Sequence, residues 1–121
     1  VIWAEIMATL QYAGVPFHTP LFVVMGHRGC GAVGAPLEAK ERGASHPDRI
    51  ALLLENIYPA LEHVDLALPP EDLFDAAVEA NVRWSMRQVL ETPEAKKRLK
   101  DGAFKLVGAI YDLKTGRVRF L

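Results

Sequence analysis

Apolar positions along the chain alternate between helical stripes and short continuous runs. Trp3, Ile6, Met7, Leu10 and Ala13 recur at helical spacing and stop at Gly14 and Pro16, predicting a short amphipathic helix ended by breakers. Leu21 to Met25 is unbroken apolar sequence, the signature of a strand buried on both faces as in a parallel sheet, and Gly26 ends it. A helix is expected over 32–42, weakened by Pro36, with a linker over 43–47. From Asp48 onward, Ile50, Leu53, Leu54, Ile57, Leu61 and Val64 hold one apolar stripe, in which Pro59 is expected to place a kink. Pro69 and Pro70 open a longer helix running from about Glu71 to Glu91. Phe74, Val78, Val82 and Val89 line one of its faces, and Leu73, Ala77, Ala80 and Trp84 line another. Such a helix needs two apolar neighbours: its own sheet, and either a second subunit or the interior of a larger domain.

A short basic helix over 94–100 precedes a second buried-strand pattern, Phe104 to Tyr111. After a turn at 113–116, the alternation Arg117-Val-Arg-Phe-Leu121 predicts an edge strand with one wet face. Strands separated by helices define the fold class as α/β, a mostly parallel sheet flanked by helices, within one domain over 1–121.

The charge balance, 14 basic against 15 acidic residues without runs, gives no electrostatic footprint for nucleic acid or an anionic membrane. The longest strongly apolar stretch, 20–26, is far too short to cross a bilayer, and no basic-then-apolar signal pattern opens the chain. A soluble, cytoplasmic protein is expected. Val1 enters apolar sequence directly without an initiator methionine, so the chain reads as a fragment with upstream residues removed or not included.

A single cysteine excludes an internal disulfide, which leaves Cys30 as a buried small hydrophobe, a reactive thiol or a metal ligand. His27 falls at the carboxyl end of the first strand and Cys30 three residues on, at the mouth of a helix, where open α/β sheets place their ligand sites. The helix N-terminus favours the thiolate, the form that binds zinc, and zinc accepts both donors. Gly26, Gly29 and Gly31 permit the tight turn. Spacing alone leaves a second reading equally open, in which His27 caps the strand and Cys30 packs in the core, because zinc needs three or four ligands. Of the other histidines, His18, His46 and His63, none has a spacing that brings it beside His27. Arg28 is expected to face solvent or an interface carboxylate, and Asp112 and Glu79 read as turn and helix-surface residues.

The wider string Phe22-Val-Val-Met-Gly-His-Arg-Gly-Cys-Gly-Ala-Val33 closely resembles the second metal-binding motif of β-class carbonic anhydrases. The resemblance extends to Thr9-Leu-Gln-Tyr-Ala13 before it, to Glu79-Ala-Asn-Val82, and to Leu106-Val-Gly-Ala-Ile-Tyr-Asp-Leu113 with Thr115-Gly-Arg-Val118. It covers essentially the whole chain and implies the C-terminal portion of that fold, missing the family's first two strands. It also implies zinc held by two cysteines and one histidine, with His27 the histidine and Cys30 the second cysteine. The first cysteine belongs to an upstream Cys-x-Asp-x-Arg motif of which this sequence has no copy, and the catalytic Asp-Arg dyad is absent with it.

The implied activity is zinc-dependent reversible hydration of CO2 to bicarbonate in a homodimer or higher homo-oligomer, with these 121 residues inactive alone. Gly31, at the mouth of the expected helix, is placed to offer a backbone N–H to an anionic oxygen. By the same resemblance Tyr12 lies near the active-site cleft; a core or interface tyrosine is the competing reading. Two alternatives stand beside this activity. One is a related zinc hydrolase acting on a CO2-like molecule such as carbonyl sulfide. The other is a non-catalytic truncated dimerisation or scaffold module. A sheet reduced to three strands would leave Leu21 to Met25 as an unpaired apolar edge, so the isolated chain is expected to associate or fold poorly.

Overall fold

A computed structural model describes residues 1–43 and 47–121; the expected linker falls partly, and His46 wholly, outside them. In chain order the elements are α1 (Ala4–Gly14), β1 (Leu21–His27), α2 (Gly31–Arg42), α3 (Asp48–Ile57), a 3-10 turn (Tyr58–Leu61), α4 (Pro70–Leu90), α5 (Pro93–Lys100), β2 (Lys105–Tyr111) and β3 (Val118–Phe120). The sheet order is β1-β2-β3. β1 pairs in parallel with β2 from Leu21↔Lys105 to His27↔Tyr111, and β2 pairs antiparallel with β3 from Ala109↔Phe120 to Tyr111↔Val118. The sheet is therefore small and mixed, with its parallel pair the longer.

α4 organises the core. Its Leu73, Ala77, Val78 and Val82 meet Val33 and Leu37 of α2, Ile57, Leu61 and, from β2, Ile110 in one buried cluster. Glycines in the sheet allow the close approach. A Cβ at Gly26 would lie 2.6 Å from Val82 Cγ2, and one at Gly108 would lie 2.7 Å from Met86 Sδ. Pro36 is tolerated within α2, which ends in a left-handed Gly43.

Four expectations need correction. The stripe from Asp48 to Val64 is not one kinked helix. α3 stops at Ile57 and Pro59 sits in the first turn of the 3-10 segment, because a proline lacks the N–H that an α-helix interior requires. β1 is covered on one face only: Phe22 and Val24 turn toward α4 and Phe104, whereas Leu21, Val23 and Met25 are 51, 43 and 53 % exposed. The pleat puts alternate residues on opposite faces, and among the described residues no helix lies on the second one. β3 is shorter than expected and exposed along its length, including Phe120. Finally, the second face of α4 needs no partner subunit, since Leu73 and Ala77 pack on the 3-10 turn and α3, and Trp84 Nε1 donates to the Asn56 carbonyl at 3.1 Å.

The expected three strands and the open edge at Leu21 to Met25 are both present, because β1 is the terminal strand in the sheet order. No described helix is long and apolar enough to cross a membrane.

Candidate active site

His27 is the last residue of β1 and Cys30 is the N-cap of α2, so strand end and helix mouth bring both to the C-terminal edge of the sheet. The turn between them depends on Gly29, whose φ of +72° is a conformation that favours glycine. His27 is half-buried, and its Nδ1 lies 3.1 Å from the Arg28 carbonyl oxygen. Cys30 is half-buried too and packs against the core cluster, while its carbonyl accepts from Val33 and Gly34, both at 3.0 Å. Gly31 opens α2 with nothing within 4 Å of where a Cβ would sit, which leaves open space above the turn.

Arg28 is exposed, as expected, but its carboxylate partners lie within this chain. Its guanidinium forms a two-point pair with Asp75 of α4, Nε donating to Oδ1 at 3.0 Å and Nη2 to Oδ2, and Nη1 reaches Asp112 at 3.5 Å. Its backbone N–H donates to the Tyr111 carbonyl at 2.9 Å, extending the β1–β2 ladder by one residue. Asp75 and Asp112 raise the Arg28 pKa above its ordinary value, Asp75 most of all through its hydrogen bond. The Asp112 carboxyl is held below its ordinary value chiefly by the Lys114 N–H it accepts, with Thr115 N–H and Arg28 adding. Asp112 is thus both the turn residue expected and an anchor for Arg28. Sequence reading missed this network because its members are 47 and 84 positions apart, and nothing local signals the pairing. Glu79 likewise does more than decorate a helix surface: it accepts from Arg83 one turn on and from Arg119 of β3, tying α4 to the sheet edge.

Two of the cavities among the described residues flank the sheet. One of about 570 Å³ lies beside the candidate turn, lined by Arg28, Gly29, Phe74, Asp75 and Lys114. The other, about 330 Å³ and mostly apolar, lies among Met7, Gln11, Phe22, Val89, Arg98 and Phe104. Phe22 and His27 are five residues apart on β1, about 16 Å, so this second groove is remote from the turn. Tyr12 lines neither cavity; it is 65 % exposed on α1 and packs edge-to-face on Phe17 at 5.2 Å. His18 and His63 are exposed.

The donor chemistry of His27 and Cys30 suits zinc, but the donor count does not close. Among the described residues no three His, Cys, Asp or Glu side chains converge on one point. His27 and Cys30 are two side chains of the kinds that zinc accepts, at neighbouring positions of one turn.

A family model described as carbonic anhydrase matches residues 2–118. The chain is 32 % identical over 119 residues to the carbonic anhydrase of Mycolicibacterium smegmatis, covering 98 % of this chain and 57 % of that one. It is 29 % identical over 119 residues to carbonic anhydrase 2 of Mycobacterium tuberculosis, covering 97 and 56 %. Among solved structures, the Coccomyxa β-carbonic anhydrase in complex with acetazolamide superposes with a TM-score of 0.82 at 24 % identity, covering 96 % of this chain and 53 % of that one. A tetrameric β-carbonic anhydrase of the ascomycete Sordaria macrospora gives 0.83 at 16 % identity, covering 97 and 59 %. The fold therefore falls in one class, the β-carbonic anhydrases. This chain belongs to that family, and it spans little more than half the length of the two mycobacterial relatives.

Proposed function

We propose that these residues are one partial domain of a zinc carbonic anhydrase, supplying His27 and Cys30 to a site that catalyses the reversible hydration of CO2 to bicarbonate. The observation that carries the reading is the placement of the pair. Imidazole and thiol stand at the end of the first strand and the mouth of the following helix, with His27 Nδ1 turned to a carbonyl. In this reading Nε2 of His27 and Sγ of Cys30 face the metal, which when bound contributes Lewis acidity. The Gly31 N–H lies at the positive end of α2, where an anionic oxygen is stabilised. Tyr12 borders the cleft once the rest of the domain is in place.

The same reading assigns the remaining protein ligand and the Asp-Arg dyad to residues outside these 121, so the chain alone is inactive. A homodimer or larger homo-oligomer is supported by the uncovered apolar face of β1 and β3. The same reading is of a cytoplasmic enzyme. One observation favours a second reading: with two donors and no third among the described residues, the chain also suits a non-catalytic assembly module.

Zinc content separates the two. Elemental analysis after dialysis is expected to find zinc in the protein at its full natural length, near one ion per chain, and its loss in Cys30→Ser. CO2 hydration should disappear with it. Absence of zinc from the natural-length wild type refutes the enzymatic reading.

A further inference from the structure

Arg28 is no part of the proposed ligand set, yet it reaches His27 through the backbone. Its carbonyl oxygen, 3.1 Å from His27 Nδ1, belongs to the peptide it shares with Gly29. Glycine is permissive on both sides of φ = 0, so that peptide would rotate readily if nothing held the residue before it. Two segments distant in sequence hold it: at the end of β2, Tyr111 accepts from the Arg28 N–H and Asp112 reaches the guanidinium, while Asp75 of α4 grips the same group at two points. The guanidinium and the Asp75 carboxylate are substantially exposed, so their pairing adds little stability; the two-point geometry serves orientation instead.

The consequence is chemical. A carbonyl oxygen only accepts hydrogen bonds, and a neutral imidazole carries one N–H. The His27–Arg28 contact is therefore a hydrogen bond only in the tautomer protonated at Nδ1, which leaves the Nε2 lone pair free. We propose that Arg28 is a positioning residue: pinned by Asp75 and Asp112, it holds its own carbonyl against His27 Nδ1 and so selects the tautomer whose Nε2 can accept a metal ion. The metal in this statement rests on the function proposed above; the tautomer does not.

The test is 15N NMR of histidine-labelled, metal-free protein at its full natural length, at an alkaline pH where the ring-nitrogen shifts themselves report a neutral imidazole. A His27→Gln sample identifies the signal. The wild type is expected to show His27 protonated at Nδ1. In Arg28→Met the ratio should move toward the Nε2-protonated form by about five-fold, the weight of one ordinary hydrogen bond, with Arg28→Lys in between. A residue that only supports the fold would leave the ratio alone, so an unchanged ratio in Arg28→Met, or a wild type protonated at Nε2, overturns the proposal. If Arg28→Met does not fold, Asp75→Ser opens the clamp from α4 and is read in the same way. A tautomer shift in a protein that takes up no zinc keeps the positioning role and removes the zinc reading.

Discussion

Substituting alanine for Gly26 probes how closely α4 lies on the sheet, one residue before His27. The new Cβ would lie 2.6 Å from Val82 Cγ2, 3.2 Å from Val78 Cγ1 and 3.5 Å from Ile110 Cδ1. Carbon atoms in good contact stand about 3.5–4.0 Å apart, so the first distance is short by about 1 Å. Val82 is 2 % exposed and β-branched, hence stiff at χ1, and it has no free space to turn into. Either α4 retreats or Val82 leaves its rotamer, and overpacking of this kind costs about 1–3 kcal/mol. Removing a glycine from a strand returns about 0.5–1 kcal/mol, so the net loss lies between about 0 and 2.5 kcal/mol, with a centre of about 1.3. In urea, with a slope of about 1.5 kcal/mol/M, the midpoint should fall by about 1 M. Gly31→Ala is the control, because nothing lies within 4 Å of its Cβ position, and its midpoint should hold or rise slightly. A Gly26→Ala midpoint at or above that of the wild type would falsify the close helix–sheet contact that fixes the end of β1.

Thr92 caps α5 by accepting the Ala95 N–H at 3.2 Å, and Thr92→Ala should cost about 1 kcal/mol, read as a lower urea midpoint. Glu79 is held below its ordinary carboxyl value by hydrogen bonds from Arg119 and then Arg83, so the unfolded chain binds the proton more readily. Its contribution to stability is complete above the ordinary value of about 4.3 and is lost as pH falls through the lowered folded value. The stability gap between wild type and Glu79→Gln should therefore be constant near neutrality and close in acid, and a gap that widens in acid reverses the sign of this argument. Leu21, Val23 and Met25 present an open apolar face beside an unpaired edge. The isolated 121 residues should self-associate, and Val23→Lys should lower the sedimentation-average mass without lowering the urea midpoint by more than about 0.5 kcal/mol equivalent. Equal association of both chains would show that this face is not the cause.

Local order was legible because it is written locally. Helical spacing in α1 and α4, the breakers at Gly14 and Pro16, and the apolar runs of β1 and β2 each place an element within a few residues of its observed bounds. The string around His27 and Cys30 carried the family, since strand, glycine turn and helix start are contiguous in the chain. Periodicity failed at Pro59, where an apolar stripe continues in sequence although the backbone changes from α to 3-10. It also could not tell a strand covered on two faces from one covered on a single face, because apolar residues record the need for burial and not the neighbour that meets it. Only the tertiary structure decided which face of β1 lies on α4, and that the second face of α4 is satisfied by α3 and the 3-10 turn. It alone joined Arg28 to Asp75 and Asp112 across 47 and 84 positions. The division follows from the range of the forces: backbone conformation and side-chain period act over a few residues, whereas ion pairs and packing act between whatever the fold brings within a few ångströms.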